Sequence, residues 1–400
     1  MTPTNIFKEG VIMYADTTPL LVGIIILLAS LISLRLGLSV AIIEIVLGAL
    51  FGNIGVIHAQ DWMIYLAGFG GILLTFLAGT EIDIDLMREN LIESVSIGLS
   101  SFFAPFIGSF LYAYFVAGWG LQASLITGTA LSTTSLAVVY SVLVETGLTG
   151  TNIGKRIMAA TFITDISTAT ALSVLFIKPT IYTLVFLAVS IVVIVFAVKF
   201  SHKVFNHPKV KNKVIEPEIK YLFLFLLVFM YFANVGGGQA VLPAFVLGLL
   251  MAKHFAETSE SKEVRNRLRT VAYAIITPLF FVVGGLNVSA PLILSAIGLF
   301  AILLAIKLST KFVGVYFLAE KYLPHGSVYT TLLMSTGLTF GTITSVFGLT
   351  AGYITQVQYS LLVGVVVSTA VIPTFIAQKW FMPVHSEDLL DLNDMGVDRG

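Results

Sequence analysis

The chain has 400 residues, of which 57% are hydrophobic and only 11% are charged, whereas soluble globular domains carry about 25% charged residues. This composition excludes a soluble globular protein and predicts a polytopic membrane protein. Its 22 basic and 22 acidic residues cancel, which suggests no nucleic-acid partner, and the lack of cysteine excludes disulfides and thiolate metal sites.

Apolar runs of about 20 residues follow one another along the chain, and this length is typical of membrane-spanning helices. Strands of a membrane barrel would instead alternate over about ten residues. We therefore predict an all-α protein with about 13 transmembrane helices. Their approximate ranges are 17–34, 38–57, 62–80, 91–117, 121–144, 152–176, 180–200, 218–235, 238–253, 267–287, 291–319, 326–349 and 354–379.

Lysine and arginine residues concentrate on one side of these spans. With the N-terminus outside, the opposite side contains Arg35, Arg88 and the six lysines within residues 199–220, whereas the outer side contains only Lys8 and Lys178. Because basic loops stay in the cytoplasm, we predict a multi-pass protein of the plasma membrane with a cytoplasmic C-terminus. Residues 381–400 are expected to form a short acidic cytoplasmic tail after a transporter domain at 1–380.

The lysine-rich segment 199–220, called here the basic loop, follows the seventh predicted span. The chain then consists of six spans, one linker span and six further spans. Transporters are often built from two such inverted halves. The penultimate span of each half is rich in Gly, Ser and Thr: TGTALSTTS (127–135) and STGLTFGTITS (335–345). Such sequences indicate helices that are interrupted in the membrane and cross each other, because hydroxyl groups replace lost backbone hydrogen bonds. The alternative is that these residues only allow close helix packing.

Asp165 is the only ionisable residue between Arg156 and Lys178. It lies nine residues from Arg156, about 13 Å along a helix and so near the membrane midplane. Burying an isolated charge there costs several kcal/mol, so we expect the carboxylate to bind a proton or a small cation. Competition between the two suffices for exchange. The alternative is a structural aspartate that pairs with a neighbouring helix.

Three other charged residues are expected within the membrane. Lys311 lies nine residues from Glu320, at the depth of Asp165, and is the expected counter-charge. We interpret Lys307 as a lysine that extends along its helix toward the surface. Glu44 either lines the cavity, pairs with a lysine or serves as a buried hydrogen-bonding group.

An acidic cluster at the end of the third span contains Glu81, Asp83, Asp85 and Glu89. We interpret it as solvated, and attraction of cations to a funnel is the alternative. No phosphate loop, HExxH sequence or convergent Ser–His–Asp set is present. We therefore predict neither an enzyme nor a cofactor, and transport must be driven by an ion gradient.

Several segments together resemble the monovalent cation:proton antiporter-2 family of bacteria and archaea, over nearly the whole chain. They are RLGLSVAIIEIVLGALFG (35–52), FLAGTEIDID (76–85), GTALSTTSLAVV (128–139), AATFITDISTATALSVL (159–175), GGGQAVLPAFVLGLLMA (236–252) and TPLFFVVGGLNVS (277–289). The resemblance implies the fold of sodium/proton antiporters, with two inverted repeats and two crossed discontinuous helices, in a homodimer. It also implies an elevator-like core at about 62–176 and 267–349, which slides against a dimerisation part at about 17–57, 180–253 and 354–379.

The resemblance also implies the residues of the ion site. The expected ion-binding residues are Asp165, Thr164, Thr133, Thr134 and Ser135, with Lys311 and Glu44 as supporting charges. The expected residues of the discontinuous helices are Ser132, Gly337, Gly341, Thr342 and Thr344.

Two positions depart from the family pattern. Relatives have Asp-Asp or Gln-Asp where this chain has Thr164-Asp165, and many have Arg-Gly-Glu where it has Phe340-Gly341-Thr342. One carboxylate carries one proton or one monovalent cation. We therefore predict electroneutral exchange of Na+ (or Li+) for H+, a reaction that serves pH homeostasis.

Three alternatives remain open at this point. The first is K+/H+ exchange in the same site, since hydroxyl and carbonyl ligands suit both cations. The second is a solute symporter that resembles the bile-acid carriers, which would need a larger amphipathic cavity. The third is a channel or a sensor that does not transport.

Overall fold

Helices account for all the regular structure in the described part of the chain. A computed structural model describes residues 16–82, 91–176, 180–205, 216–236, 238–257 and 259–383, and every regular element within these ranges is helical. Hydrocarbon offers no water to pair with backbone N–H and C=O groups, and a helix satisfies them internally. The all-α prediction is therefore confirmed.

The helices before the basic loop are α1 (Thr18–Leu36), α2 (Val40–Asn53), α3 (Asp61–Thr80), α4 (Leu91–Leu111), α5 (Leu121–Ser132), α6 (Leu136–Glu145), α7 (Asn152–Leu175) and α8 (Ile181–Phe205). Those after it are α9 (Pro217–Gly236), α10 (Val241–Glu257), α11 (Ser259–Val271), α12 (Thr277–Leu286), α13 (Ala290–Ser295), α14 (Ile297–Tyr322), α15 (Ser327–Met334), α16 (Thr339–Thr350) and α17 (Gln356–Trp380). A π-helical segment, Tyr112–Val116, extends α4, and a second, Ala272–Ile276, joins α11 to α12.

The apolar helices lie at the predicted spans. Within the described residues, 11 helical stretches are long and apolar enough to span a membrane. Two shorter apolar helices, Val40–Asn53 and Val241–Lys253, lie at the predicted second and ninth spans. The chain is thus a multi-pass membrane protein.

Two spans are interrupted halfway, as predicted. Helix α5 ends at Ser132 and α6 begins at Leu136, and Thr133 between them has an extended backbone with φ −65° and ψ 151°. Helix α15 ends at Met334 and α16 begins at Thr339. Each of these interruptions lies in a Gly-, Ser- and Thr-rich sequence singled out above.

The helices pack in two groups. Helices α1–α3 and α8–α12 pack against one another and are called here the scaffold group, whereas α4–α7 and α14–α17 form the core group. This packing differs from the partition expected from the sequence. The spans at 62–80 and 267–287 pack with the scaffold group rather than the core, and the span at 354–379 packs with the core.

Close backbone contacts at glycines explain why α3 and α12 pack within the scaffold group. A side chain on Gly248 of α10 would collide with the backbone oxygen of Phe76 in α3. One on Gly285 of α12 would collide with the backbone oxygen of Ile45 in α2. Small residues allow helix backbones to approach this closely in membranes and so favour these pairs.

Candidate functional site

The two helix interruptions meet in the core group and are joined by hydrogen bonds. The hydroxyl group of Thr134 donates to the carbonyl oxygen of Met334 at 2.9 Å, and the backbone N–H of Ser135 donates to Thr336 Oγ1 at 3.4 Å. All four residues are buried. The hydroxyl groups of one interruption thus replace backbone hydrogen bonds that the other has lost.

Lys311 reaches this crossing from α14 and is fully buried. Its Nζ donates to Ser101 Oγ at 2.7 Å, to the carbonyl oxygen of Ser132 at 2.8 Å and to Thr134 Oγ1 at 3.0 Å. Ser132 is the last residue of α5, where carbonyl groups carry the partial negative charge of the helix end. Lys311 therefore neutralises the broken end of α5 and links it to α4.

Lys307 lies one turn before Lys311 and is also fully buried, so our interpretation of it as a lysine extending to the surface is wrong. Its Nζ has no hydrogen-bond partner among the described residues. A side chain at Gly337 would collide with this ammonium group and with Thr133 Oγ1. Glycine at the second interruption thus makes room for the ammonium group of Lys307.

Asp165 lies on α7 and is 2% exposed. Its Oδ1 is buried and accepts no hydrogen bond in the part of the chain that the structure describes. No basic side chain among the described residues comes within ion-pair distance of it. Lys311, the expected counter-charge, is bound to the crossing instead.

The other predicted site residues surround the crossing, but several of their hydroxyl groups donate to their own helices. Thr164 donates to the carbonyl oxygen of Ala160 at 3.1 Å, Thr133 to that of Ala130 at 3.0 Å, and Thr344 to that of Phe340 at 2.7 Å. These oxygen atoms keep lone pairs that can still accept a hydrogen bond or bind a cation.

Two further predicted residues lie on α16. Thr342 Oγ1 is buried and without a hydrogen-bond partner among the described residues. A side chain on Gly341 would contact Val366 and Thr133 closely, so this glycine allows α16 to approach the first interruption.

Asp165 lines a cavity of about 30 Å³ between the two helix groups. The core group contributes Asp165, Ala137 and Phe340 to its walls, and the scaffold group contributes Glu81 and Tyr273. One water molecule occupies about 30 Å³ in the liquid. The cavity therefore has room for one small ion and little else.

Glu81 is the residue of this cavity that sequence reasoning missed, because it was interpreted as part of a solvated cluster. It forms an ion pair with Arg269 of α11 at 3.4 Å. Burial raises the pKa of the Glu81 carboxyl above its usual value, and Arg269 and Arg265 oppose this rise. The rest of the cluster, Asp83, Asp85 and Glu89, lies outside the described residues.

Glu44 lines a second cavity of about 550 Å³. This cavity shares four wall residues with the cavity of Asp165: Leu74, Ala137, Tyr273 and Thr339. Glu44 is 2% exposed and is the only charged residue among the described residues that line it. The two cavities are thus neighbours between the scaffold and core groups.

A model of the family described as "Sodium/hydrogen exchanger, transmembrane" matches residues 23–381 of the chain. The "Probable Na(+)/H(+) antiporter 3" of Methanocaldococcus jannaschii is 25% identical over 361 residues, which cover 86% of this chain and 90% of that protein. The "Na(+)/H(+)-K(+) antiporter GerN" of Bacillus cereus is 25% identical over 360 residues, with the same coverage.

A solved structure is similar over nearly the whole fold. The sodium proton antiporter MjNhaP1 from Methanocaldococcus jannaschii superposes with a TM-score of 0.66, and the match covers 95% of this chain and 99% of that one. The sequence identity is 14%, so this likeness concerns the fold alone. The resemblance deduced from the sequence motifs is confirmed, and the chain belongs to the sodium/hydrogen exchanger family.

Proposed function

We propose that this protein is a secondary active antiporter that exchanges Na+ for H+ at Asp165. One observation carries the proposal: a buried carboxylate oxygen, without a partner among the described residues, lines a cavity for one small ion beside two crossed helix interruptions. A carboxylate in such a place must be neutralised. A proton and a monovalent cation each neutralise it, and because they use the same group they exclude each other.

Movement of the core group against the scaffold group would expose Asp165 to the two sides in turn. The position of its cavity supports this, since the walls come from both groups. The basic ends of the helices would face the cytoplasm, following the distribution of Lys and Arg. The protein would act in the plasma membrane as a homodimer, as the resemblance implies.

The exchange would be electroneutral, with one cation for one proton. Asp165 is the only carboxylate in the membrane-embedded middle of the core helices, and it binds one of the two ions at a time. Li+ would be accepted with Na+, since both are small. K+ is the second candidate, because the similar protein GerN carries K+ in its name. The cavity of about 30 Å³ disfavours an organic solute.

Everted membrane vesicles from cells without other antiporters test the proposal. Addition of NaCl should release protons from acidified vesicles that contain the wild-type protein, and Asp165→Asn should abolish this release. Asp61→Asn, the same change at the exposed start of α3, should leave it unchanged. Exchange that persists in Asp165→Asn would refute the proposal. Comparison of the proton release caused by Na+, Li+ and K+ identifies the transported ion. If the exchange is electroneutral, an imposed membrane potential should not alter the exchange rate.

A further inference from the structure

We propose that Glu44 forms a second cation subsite, which holds a hydrated monovalent cation in the larger cavity before it reaches Asp165. The inference rests on the proposed antiport function and adds a binding step to it. The subsite serves one side of the membrane only.

Glu44 has no partner among the described residues that neutralises it. It lies on α2 and is 2% exposed. Among the described residues, neither a basic side chain nor a hydrogen-bond donor contacts its carboxylate. The sequence left open pairing with a lysine, but both membrane-embedded lysines lie at the helix crossing, where Lys311 is fully bonded. Neutralisation of Glu44 must then come from a proton or from a cation that enters the cavity.

The larger cavity leads from the basic end of the helices to the second interruption. Ser39 lies in the turn between α1 and α2, near Arg35, and lines the outer part. Leu338 and Thr339 at the start of α16 line the inner part. The inner wall is shared with the cavity of Asp165. A cation that passes Glu44 is therefore separated from that cavity only by the shared wall residues, which include Tyr273.

The sizes of the two cavities fit two stages of dehydration. A monovalent ion with six waters needs about 200 Å³, since one water occupies about 30 Å³ in the liquid. The larger cavity, about 550 Å³, accommodates that ion and its shell. The smaller one, about 30 Å³, does not. Glu44 therefore attracts a cation that is still hydrated, and the crossing receives one that has lost most of its water.

The cavity at the opposite end of the fold has no carboxylate among the described residues that line it. This third cavity has a volume of about 480 Å³, and its lining includes Asn234, Asn287 and Ala351. None of the described residues that line it is charged. Loss of Glu44 should consequently change cation affinity from the basic side and leave affinity from the other side alone.

The first experiment compares the two faces with Na+ as the probe. In everted vesicles, where the proposed cytoplasmic face is outside, Glu44→Gln should raise the KM for Na+ about ten-fold and leave the maximal rate unchanged. In right-side-out vesicles the KM should not change. Glu44→Asp keeps the charge and should restore most of the affinity. Glu263→Gln, which removes an exposed carboxylate from α11 and an ion pair with Arg267, is the matched control.

A second experiment measures binding without transport. The chain contains no cysteine, so Ala137→Cys places a single thiol in the wall that the two cavities share. A membrane-impermeant thiol reagent should label it in everted vesicles, and Na+ should slow the labelling about ten-fold. Adding Glu44→Gln should remove this protection. Ala351→Cys, the same change in the third cavity, is labelled instead in right-side-out vesicles, where Na+ should not protect it.

The outcomes separate the inference from the proposed function. If the wild type exchanges Na+ for H+ but Glu44→Gln leaves the KM from both faces unchanged, the subsite does not exist. A KM that rises equally from both faces would also overturn it, because that is the effect of a general structural defect. If the wild type shows no exchange, antiport fails as a function, and the Na+ protection of Ala137→Cys still decides whether Glu44 binds a cation.

Discussion

The ammonium group of Lys311 and the carbonyl oxygen of Ser132 lie 2.8 Å apart, so that a charge on α14 neutralises the broken end of α5. Carbonyl groups at a helix end carry about half a negative charge. Thr134 and Ser101 accept the other hydrogen bonds of the ammonium group. A buried charge is costly unless it is fully bonded, and here two of the three acceptors come from the helix interruption itself.

Lys311→Met should therefore destabilise the protein. The substitution leaves three buried acceptors without this donor, and a buried polar group that loses its partner costs about 1–3 kcal/mol. The midpoint of thermal unfolding in detergent should fall clearly. Lys307→Met, the same change one turn away, removes an ammonium group without a hydrogen-bond partner among the described residues and should have little effect or stabilise. Equal losses in both variants would contradict this account of Lys311.

Gly337→Ala should destabilise the crossing by about 1–3 kcal/mol, as overpacking of a filled core does. The added methyl group would collide with Lys307 Nζ and Thr133 Oγ1. Gly298→Ala is the control, because nothing lies near that position and alanine favours a helix by about 1 kcal/mol. Thermal unfolding of Gly337→Ala with and without Lys307→Ala checks the cause. In the double variant, the shorter side chain at position 307 should restore much of the lost stability.

The sequence was sufficient to predict the interrupted spans and the burial of Asp165 in the middle of its helix. Both depend on local features, namely hydroxyl-rich segments within apolar runs and the number of residues to a charged helix end. The division into scaffold and core groups was not accessible in this way. It depends on which helix faces touch, and the close contact of Gly248 with Phe76 joins residues 172 positions apart.

Glu81 and Lys307 show where single-residue reasoning was insufficient. A charge near a helix end is usually solvated, but Glu81 borders the cavity of Asp165 because Arg269 draws its side chain toward α11. Lysine within a membrane helix usually extends to the surface, but the missing side chain at Gly337 admits Lys307 to the interior. In both cases the deciding partner is distant in sequence.

Glu81→Gln and Arg269→Gln should have opposite effects on cation affinity. Loss of the carboxylate removes a negative charge from the wall of the Asp165 cavity, so the KM for Na+ should rise several-fold. Loss of the guanidinium group frees that carboxylate, and the KM should fall. The effect on stability should stay below about 1 kcal/mol, since both side chains are partly exposed. A KM that rises in both variants would indicate that the pair serves packing alone.

Movement of the core group can be tested with paired cysteines, since the chain has none of its own. Phe245 of the scaffold group and Phe340 of the core group pack edge to face, with ring centroids 6.3 Å apart. Phe69 and Phe223 form a similar pair within the scaffold group, with centroids 5.3 Å apart. Each pair is replaced by two cysteines and joined by a short bifunctional thiol reagent.

Cross-linking at 245 and 340 should stop Na+/H+ exchange, because it joins the two groups that would have to slide. Cross-linking at 69 and 223 should preserve exchange at the rate of the untreated double variant. The comparison within each variant, before and after reaction, removes the effect of losing two phenylalanines. Exchange that continues with residues 245 and 340 fully cross-linked would mean that Asp165 reaches both sides without movement between the groups, and the elevator proposal would be wrong.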